Sequence, residues 1–200
     1  LVAILIAVSL SLLVIGNGYK MYKEAIDKIS VENKVKEIQS KENYTKISEL
    51  PQMYINAVIS VEDHRFYKHP GIDIIAIGRA VVNDIKAMSL VEGGSTITQQ
   101  LAKNIYFTQE KKFERKIAEV FMAFEIEKRY NKKEILELYL NTSYFGEGYY
   151  TVKEASRGYF GKEPIEMSDS ECIMLAGIPN APSVYAPTKN LKLAKQRQKQ

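Results

Sequence analysis

The chain has a single cysteine, Cys172, and two histidines in 200 residues. One thiol cannot close an internal disulfide, and two histidines without a cysteine cluster supply no zinc-ligand set at usable spacing, which excludes disulfide scaffolds and zinc modules. A large excess of one charge is also missing. The 28 Lys and Arg against 24 Asp and Glu leave +4, too little to make nucleic acid a partner. Internal repeats and low-complexity tracts are absent, and no charge precedes Lys20. What the chain does have, 46% hydrophobic and 26% charged residues, is the make-up of a folded domain able to bury one core.

The uncharged start is informative. Leu1–Ile15 (LVAILIAVSLSLLVI) has two serines and no charge, and a few further apolar residues upstream would complete a membrane span of about 20 residues. A signal peptide would end in a small-residue cleavage site. Gly16-Asn17-Gly18 runs instead into Tyr19, Lys20, Tyr22 and Lys23, an aromatic and basic interface flank. Residues 1–18 are therefore predicted to be a transmembrane anchor truncated at its start, with a buried core helix as the plain alternative. Residues 19–48 are predicted to be a helical stalk or linker. Residues 49–200 are predicted to be the functional domain, with the helix from Leu191 cut off at Gln200 as part of a longer chain. The charges do not show which way the anchor is oriented.

Beyond the stalk, apolar residues recur at spacings of three and four: Ile55, Val58 and Ile59; Ile74, Ile77, Val81 and Ile85; Ile97, Leu101 and Ile105; Ile117, Val120, Phe121 and Phe124. This predicts a mostly helical domain with those stripes as its buried faces. Asn131 with Glu134 fits a capping box opening a helix through Leu140. Pro179, Pro182 and Pro187 are expected to end the last helical stretch in an irregular segment. Ile72–Leu90 adds Ile75 and Val82 to its stripe, which favours a helix buried on two sides. The alternative is a surface that dips into the bilayer beside the anchor.

Three stretches have the composition of a site. In the first, EDHRFYKHPG, Glu62 follows Val58 by four and Ile55 by seven. That spacing places its carboxylate on the apolar face, at the negative end of a helix opened by Pro51. Both effects are expected to raise its affinity for a proton, as a general base requires; an exposed acid balanced by Arg65 or Lys68 is the alternative. In the second, GGSTITQQLAKN, a glycine pair leads into a helix capped by Thr96 and Gln99. Thr96, Gln99, Gln100 and Lys103 are expected to line the side opposite Ile97, Leu101 and Ile105. A helix N-terminus with hydroxyls, carboxamides and one cation suits a phosphate and sugar hydroxyls, although an ordinary solvated face remains possible. In the third, RKIAE, Arg115 and Glu119 share a helix face with Met122 and Ile126, expected to point into a cleft; a plain helical ion pair is the alternative.

Taken in order, these stretches resemble the peptidoglycan glycosyltransferase domain of class A penicillin-binding proteins and monofunctional glycosyltransferases. The resemblance covers about residues 49–199, through EDHRFYKHPG, GGSTITQQLAKN, RKIAE, KKEILELYLN, YFGEGYYTVKEASRGYFGK and LAGIPNAPSVYAP. It implies an all-α, lysozyme-like, two-lobed helical domain with an N-terminal transmembrane helix, single-pass in the bacterial plasma membrane, its catalytic domain on the extracytoplasmic face. The implied reaction is processive, inverting polymerisation of lipid II into β-1,4-linked glycan, with undecaprenyl diphosphate released. By resemblance Glu62 is the general base and Glu119 the second carboxylate, on the leaving-group side. Lys103, Arg115 and Lys116 are the donor-site cations, and Ser95, Thr96, Gln99, Gln100 and Asn104 line the diphosphate and sugar pocket. Asp63, Phe66, His69 and Gly71 complete the substrate-binding set.

The resemblance also implies lipid II, the nascent glycan strand, the membrane and a transpeptidase domain as partners. The family's use of a divalent cation implies Mg²⁺ or a similar ion held through the substrate diphosphate; no protein ligand for it is identifiable. Thr151 and Ser156 stand where many relatives have glycine and alanine, and Lys111 lies near a relative's arginine, offering a point charge in place of a planar fork. Two other functions compete: a lysozyme-like glycan hydrolase using Glu62 and Glu119, and a catalytically silent membrane-anchored scaffold. The cation cluster argues against the first, because a neutral glycosidic bond has no anionic leaving group. Retention of both glutamates argues against the second.

Overall fold

The computed structural model describes residues 1–87, 93–107 and 112–199. Among them every regular element is helical, in the order α1 (Val2–Lys28), α2 (Val31–Gln39), α3 (Gln52–Glu62), α4 (Ile74–Ala87), α5 (Ile97–Tyr106), α6 (Phe113–Glu127), α7 (Lys132–Leu140), α8 (Val152–Phe160), α9 (Asp169–Gly177), α10 (Pro182–Tyr185) and α11 (Pro187–Gln198). The chain divides into two compact units. One comprises Leu1–Lys36 and Pro70–Tyr130, the other Glu37–His69 and the chain from Asn131 on.

Local sequence explains where many helices start. Thr96, Asn131, Thr151 and Ser168 each cap a helix in a reciprocal box with Gln99, Glu134, Glu154 and Glu171, satisfying amides that the first turn leaves without partners. Thr151 therefore has a use of its own as a cap. Ser156 likewise places its buried hydroxyl 2.9 Å from the Lys162 carbonyl. The prolines behave differently from expectation. Pro182 and Pro187 sit in the first turns of α10 and α11 and begin helices, because a first-turn residue needs no amide donor and its fixed φ suits the helix.

In the first unit, α1 is one unbroken helix of 27 residues, about 40 Å long at 1.5 Å per residue. It is long and apolar enough to cross a membrane, and it extends past residue 18 to Lys28. Its upper part packs on α6, with Gly18 against Ile117 and with Tyr19 and Tyr22 against the Phe121 ring. This corrects the expected α6 stripe. The residues that α6 buries are Ala118, Glu119, Met122, Ala123 and Ile126, while Ile117 and Phe121 are half-buried and Phe124 is exposed. The stretch read as a stalk is structured too, with Val31 and Val35 buried in this unit and Ile38 buried in the other.

The α4 helix departs furthest from expectation. Of its apolar residues only Ala80 is buried, whereas Ile74 is 81% and Ile85 71% exposed, and Ile75, Ile77, Val81 and Val82 are exposed too. The reading of a helix buried on two sides is overturned for the described part. Residues 88–90 lie outside the described residues.

In the second unit, α3 packs on α9 and buries Tyr54, Ile55 and Val58, with Cys172, Leu175 and Ala176 buried on α9. The α7 helix anchors residues 44–47. Glu137 accepts from the Tyr44 hydroxyl and the Ile47 amide. The Asn141 side chain accepts from the Thr45 amide and donates to the Thr45 and Glu137 carbonyls, each at 2.8 Å. Asn141→Ala is expected to destabilise the chain by about 2–4 kcal/mol, because it strands buried donor and acceptor groups of Thr45. Urea or thermal unfolding checks this, and a loss below about 0.5 kcal/mol would mean the clamp contributes no net stability.

Candidate active site

The candidate site residues fall in both units. In the second unit Glu62 is the last residue of α3, where the backbone turns away at Asp63 (φ −163°, ψ 73°). The residue is half-buried and its Oε1 atom is fully buried. Two core phenols stand near it. Burial, followed by the neighbouring Cys172 and Glu62, raises Tyr54 well above an ordinary phenol. Burial and then Glu62 do the same for Tyr139. Both phenols stay protonated across the working range, so they are neutral neighbours for the carboxylate. Neither tyrosine was singled out from sequence, since each reads there as a core aromatic.

The turn after Glu62 is tightly built. Both carboxylate oxygens of buried Asp63 lie 2.9–3.0 Å from His69 Nε2. Phe66 is fully buried, with Lys132 Nζ 4.6 Å from its ring centroid, a cation–π contact. Asp63, Phe66 and His69, expected in the substrate-binding set, thus have contacts that fix the turn following Glu62.

The first unit holds the other residues. Gly71 has φ +97°, and a Cβ there would lie 3.1 Å from Glu127 Cγ and 3.4 Å from the Ala123 carbonyl, so a side chain would be both strained and crowded. Its carbonyl accepts from Thr96 Oγ1 at 2.6 Å. Gln99 Oε1 accepts from the Thr96 amide, and Thr98 Oγ1 donates to Glu127 at 2.6 Å. The polar stripe of α5 is therefore split. Thr96 and Gln99 are buried in the cap, contrary to the expected open face, while Gln100, Lys103 and Asn104 are half-buried. The periodicity could not show this, because capping draws the first-turn side chains back onto the helix end.

The densest constellation joins the second and third stretches. Glu119 is 1% exposed, and each of its oxygens has a cation: Arg115 Nη1 pairs with Oε1, and Lys116 Nζ lies 2.9 Å from Oε2. Lys116 Nζ also donates to Ser95 Oγ at 2.6 Å. Ser95, Arg115, Lys116 and Glu119, 21 residues apart in sequence between Ser95 and Lys116, are thus brought into one cluster. Two cations around one carboxylate leave a formal +1 where a serine hydroxyl and the N-terminus of α5 converge. Such a site can receive a phosphate oxygen and stabilise charge developing on it. Lys111 lies outside the described residues. Among the described residues no group of three His, Cys, Asp or Glu could hold a metal ion.

Comparison with known proteins gives a consistent answer. Residues 30–200 match the Transglycosylase family. The chain is 53% identical over 141 residues to penicillin-binding protein 1F of Bacillus subtilis, covering 70% of this chain and 20% of that protein. It is 46% identical over 161 residues to penicillin-binding protein 1A of Neisseria cinerea, covering 80% and 20%. It is 47% identical over 154 residues to penicillin-binding protein 1A of Aquifex aeolicus, covering 77% and 21%. The chain spans about a fifth of the length of these relatives.

Proposed function

The chain belongs to the transglycosylase family, and from that premise we propose that it is a peptidoglycan glycosyltransferase that polymerises lipid II processively into β-1,4-linked glycan. The observation that carries the proposal is the cluster of Ser95, Arg115, Lys116 and Glu119. It is composed for an anionic leaving group, which separates transfer from a lipid diphosphate from hydrolysis of a neutral glycan.

Glu62 takes the proton from the 4-hydroxyl of the N-acetylglucosamine of lipid II. The freed oxygen attacks C1 of the N-acetylmuramic acid at the end of the growing strand, forming the new glycosidic bond with inversion. The bond from C1 to the phosphate oxygen breaks, and undecaprenyl diphosphate carries away the electron pair. Arg115 and Lys116, held by Glu119, stabilise the developing phosphate charge, and Ser95 donates to it through its hydroxyl. Lys103, Gln100 and Asn104 line the sugar and diphosphate pocket. A divalent ion would be held through the substrate's own diphosphate, where it would help neutralise the phosphate charge; the cluster's one carboxylate is already paired by two cations.

The same reading makes α1 a single-pass anchor in the bacterial plasma membrane with the catalytic units on the extracytoplasmic face. The exposed isoleucines and valines of α4, in the same unit as α1, support contact with the bilayer surface. The relatives' name, penicillin-binding protein, supports a transpeptidase domain as partner. The test is incubation of the vesicle-embedded chain with labelled lipid II and separation of products by length. Long glycan is expected. Untouched lipid II with cleavage of finished glycan would replace this reading with a hydrolase, and binding without turnover would replace it with a scaffold.

A further inference from the structure

The α1–α6 seam fixes more than the packing of an anchor. A Cβ on Gly18 would lie 2.5 Å from Ile117 Cβ and 2.8 Å from the Glu114 carbonyl, so this crossing is in backbone contact and admits only glycine without movement. Four residues further along α1, Tyr22 meets Phe121, four residues further along α6, with ring centroids 5.9 Å apart. The two helices therefore run in the same direction along the seam.

This converts sequence position into depth. The apolar run of α1 ends at Ile15, and Gly18 stands about 4.5 Å beyond it at 1.5 Å per residue, inside a polar layer roughly 5–7 Å thick. Phe113 opens α6 four residues before Ile117, about 6 Å back toward the hydrocarbon, and it is 83% exposed. Arg115 and Lys116 lie between these two levels.

We infer that the α1–α6 seam acts as a depth gauge: Gly18 against Ile117 seats Phe113 at the hydrocarbon edge and holds Arg115, Lys116 and Glu119 at the level of the lipid phosphates. Gly18 and Ile117 are positioning residues, acting on a membrane-bound diphosphate through the helix they set. The inference deepens the proposed function and rests on it for the identity of that ligand.

The chain has no tryptophan, so Phe113→Trp gives a single reporter, with Ile75→Trp on α4 as a second. In phosphatidylcholine vesicles the indole emission of the Phe113→Trp variant is expected to shift to the blue and to be quenched more by lipids brominated near the glycerol than by those brominated near the chain end. Emission as in water, unquenched by either lipid, overturns the depth assignment. Gly18→Leu is expected to raise KM for undecaprenyl lipid II in vesicles about tenfold to a hundredfold, as misplacement by an ångström or so does. Turnover of a short-chain, water-soluble lipid II analogue in detergent should stay near the parent's rate. Gly18→Ala, whose Cβ alone meets Ile117 Cβ and the Glu114 carbonyl, is expected to show the same substrate-selective loss in smaller degree. Equal loss on both substrates in both variants overturns the positioning role. A parent chain inactive on both substrates overturns the proposed function instead, and quenching of the Phe113→Trp variant then decides the seam by itself.

Discussion

Glu62→Gln is expected to lower the rate of glycan polymerisation by about 10³-fold or more, the upper part of the range that a positioned general base supplies, while lipid II still binds. The substitution keeps the shape of a half-buried side chain at the end of α3. The turn that follows is held by the Asp63–His69 pair and by Phe66 under Lys132, none of which needs the Glu62 charge. The fold should therefore persist, and only the proton acceptor is lost. Single-turnover rates on labelled lipid II, beside a binding isotherm for the same variant, make the measurement. Activity within about tenfold of the parent would remove Glu62 from the role of base.

Glu119→Gln is expected to cost about 10²-fold in kcat, in the range found when an electrostatic stabiliser is removed, together with a measurable loss of stability. Glu119 is 1% exposed and ties down both Arg115 and Lys116. Removing one partner of a buried ion pair costs about 3–5 kcal/mol. Here the cations retain water, with Lys116 45% and Arg115 15% exposed at the side chain, so roughly 1–3 kcal/mol is expected after allowance for screening. The two effects separate experimentally. Urea unfolding reads the stability, and kcat at saturating lipid II reads the positioning of the cations. Lys116→Met should lower kcat for the lipid donor, because it removes a cation that stabilises the phosphate charge developing in the transition state, while Arg115 keeps Glu119 paired. A Glu119→Gln variant that loses stability but keeps its kcat would reduce the cluster to a structural ion pair.

Much of the candidate site was legible because its chemistry lies in short-range patterns. Arg115 and Glu119 at four residues' spacing are bound to share a face, and they do. The spacing of Thr96 and Gln99 predicts a capping box, and the box forms. The same pattern could not reveal that capping takes Thr96 and Gln99 out of the open face, nor that Lys116 would reach Ser95 across 21 residues of sequence. Tyr54 and Tyr139, which feel the Glu62 charge, carry no separable signal in the sequence, since buried aromatics in helical stripes look alike whatever lies beside them.

The sequence by itself determined a mostly helical chain, an apolar first helix, the caps at Thr96 and Asn131 and the three stretches from which a site could be drawn. Each of these rests on contacts within about one helical turn, and local spacing settles such contacts. The tertiary structure decided which faces are buried. The α6 helix has apolar residues on two sides, and periodicity cannot say which side meets which neighbour. Small Ala118 and Ala123 lie buried with Met122 and Ile126, while Ile117 and Phe121 meet α1. The α4 helix has the composition of a core element yet keeps its isoleucines exposed. Apolar pattern records that a surface avoids water; whether protein or lipid covers it depends on what the rest of the chain brings alongside.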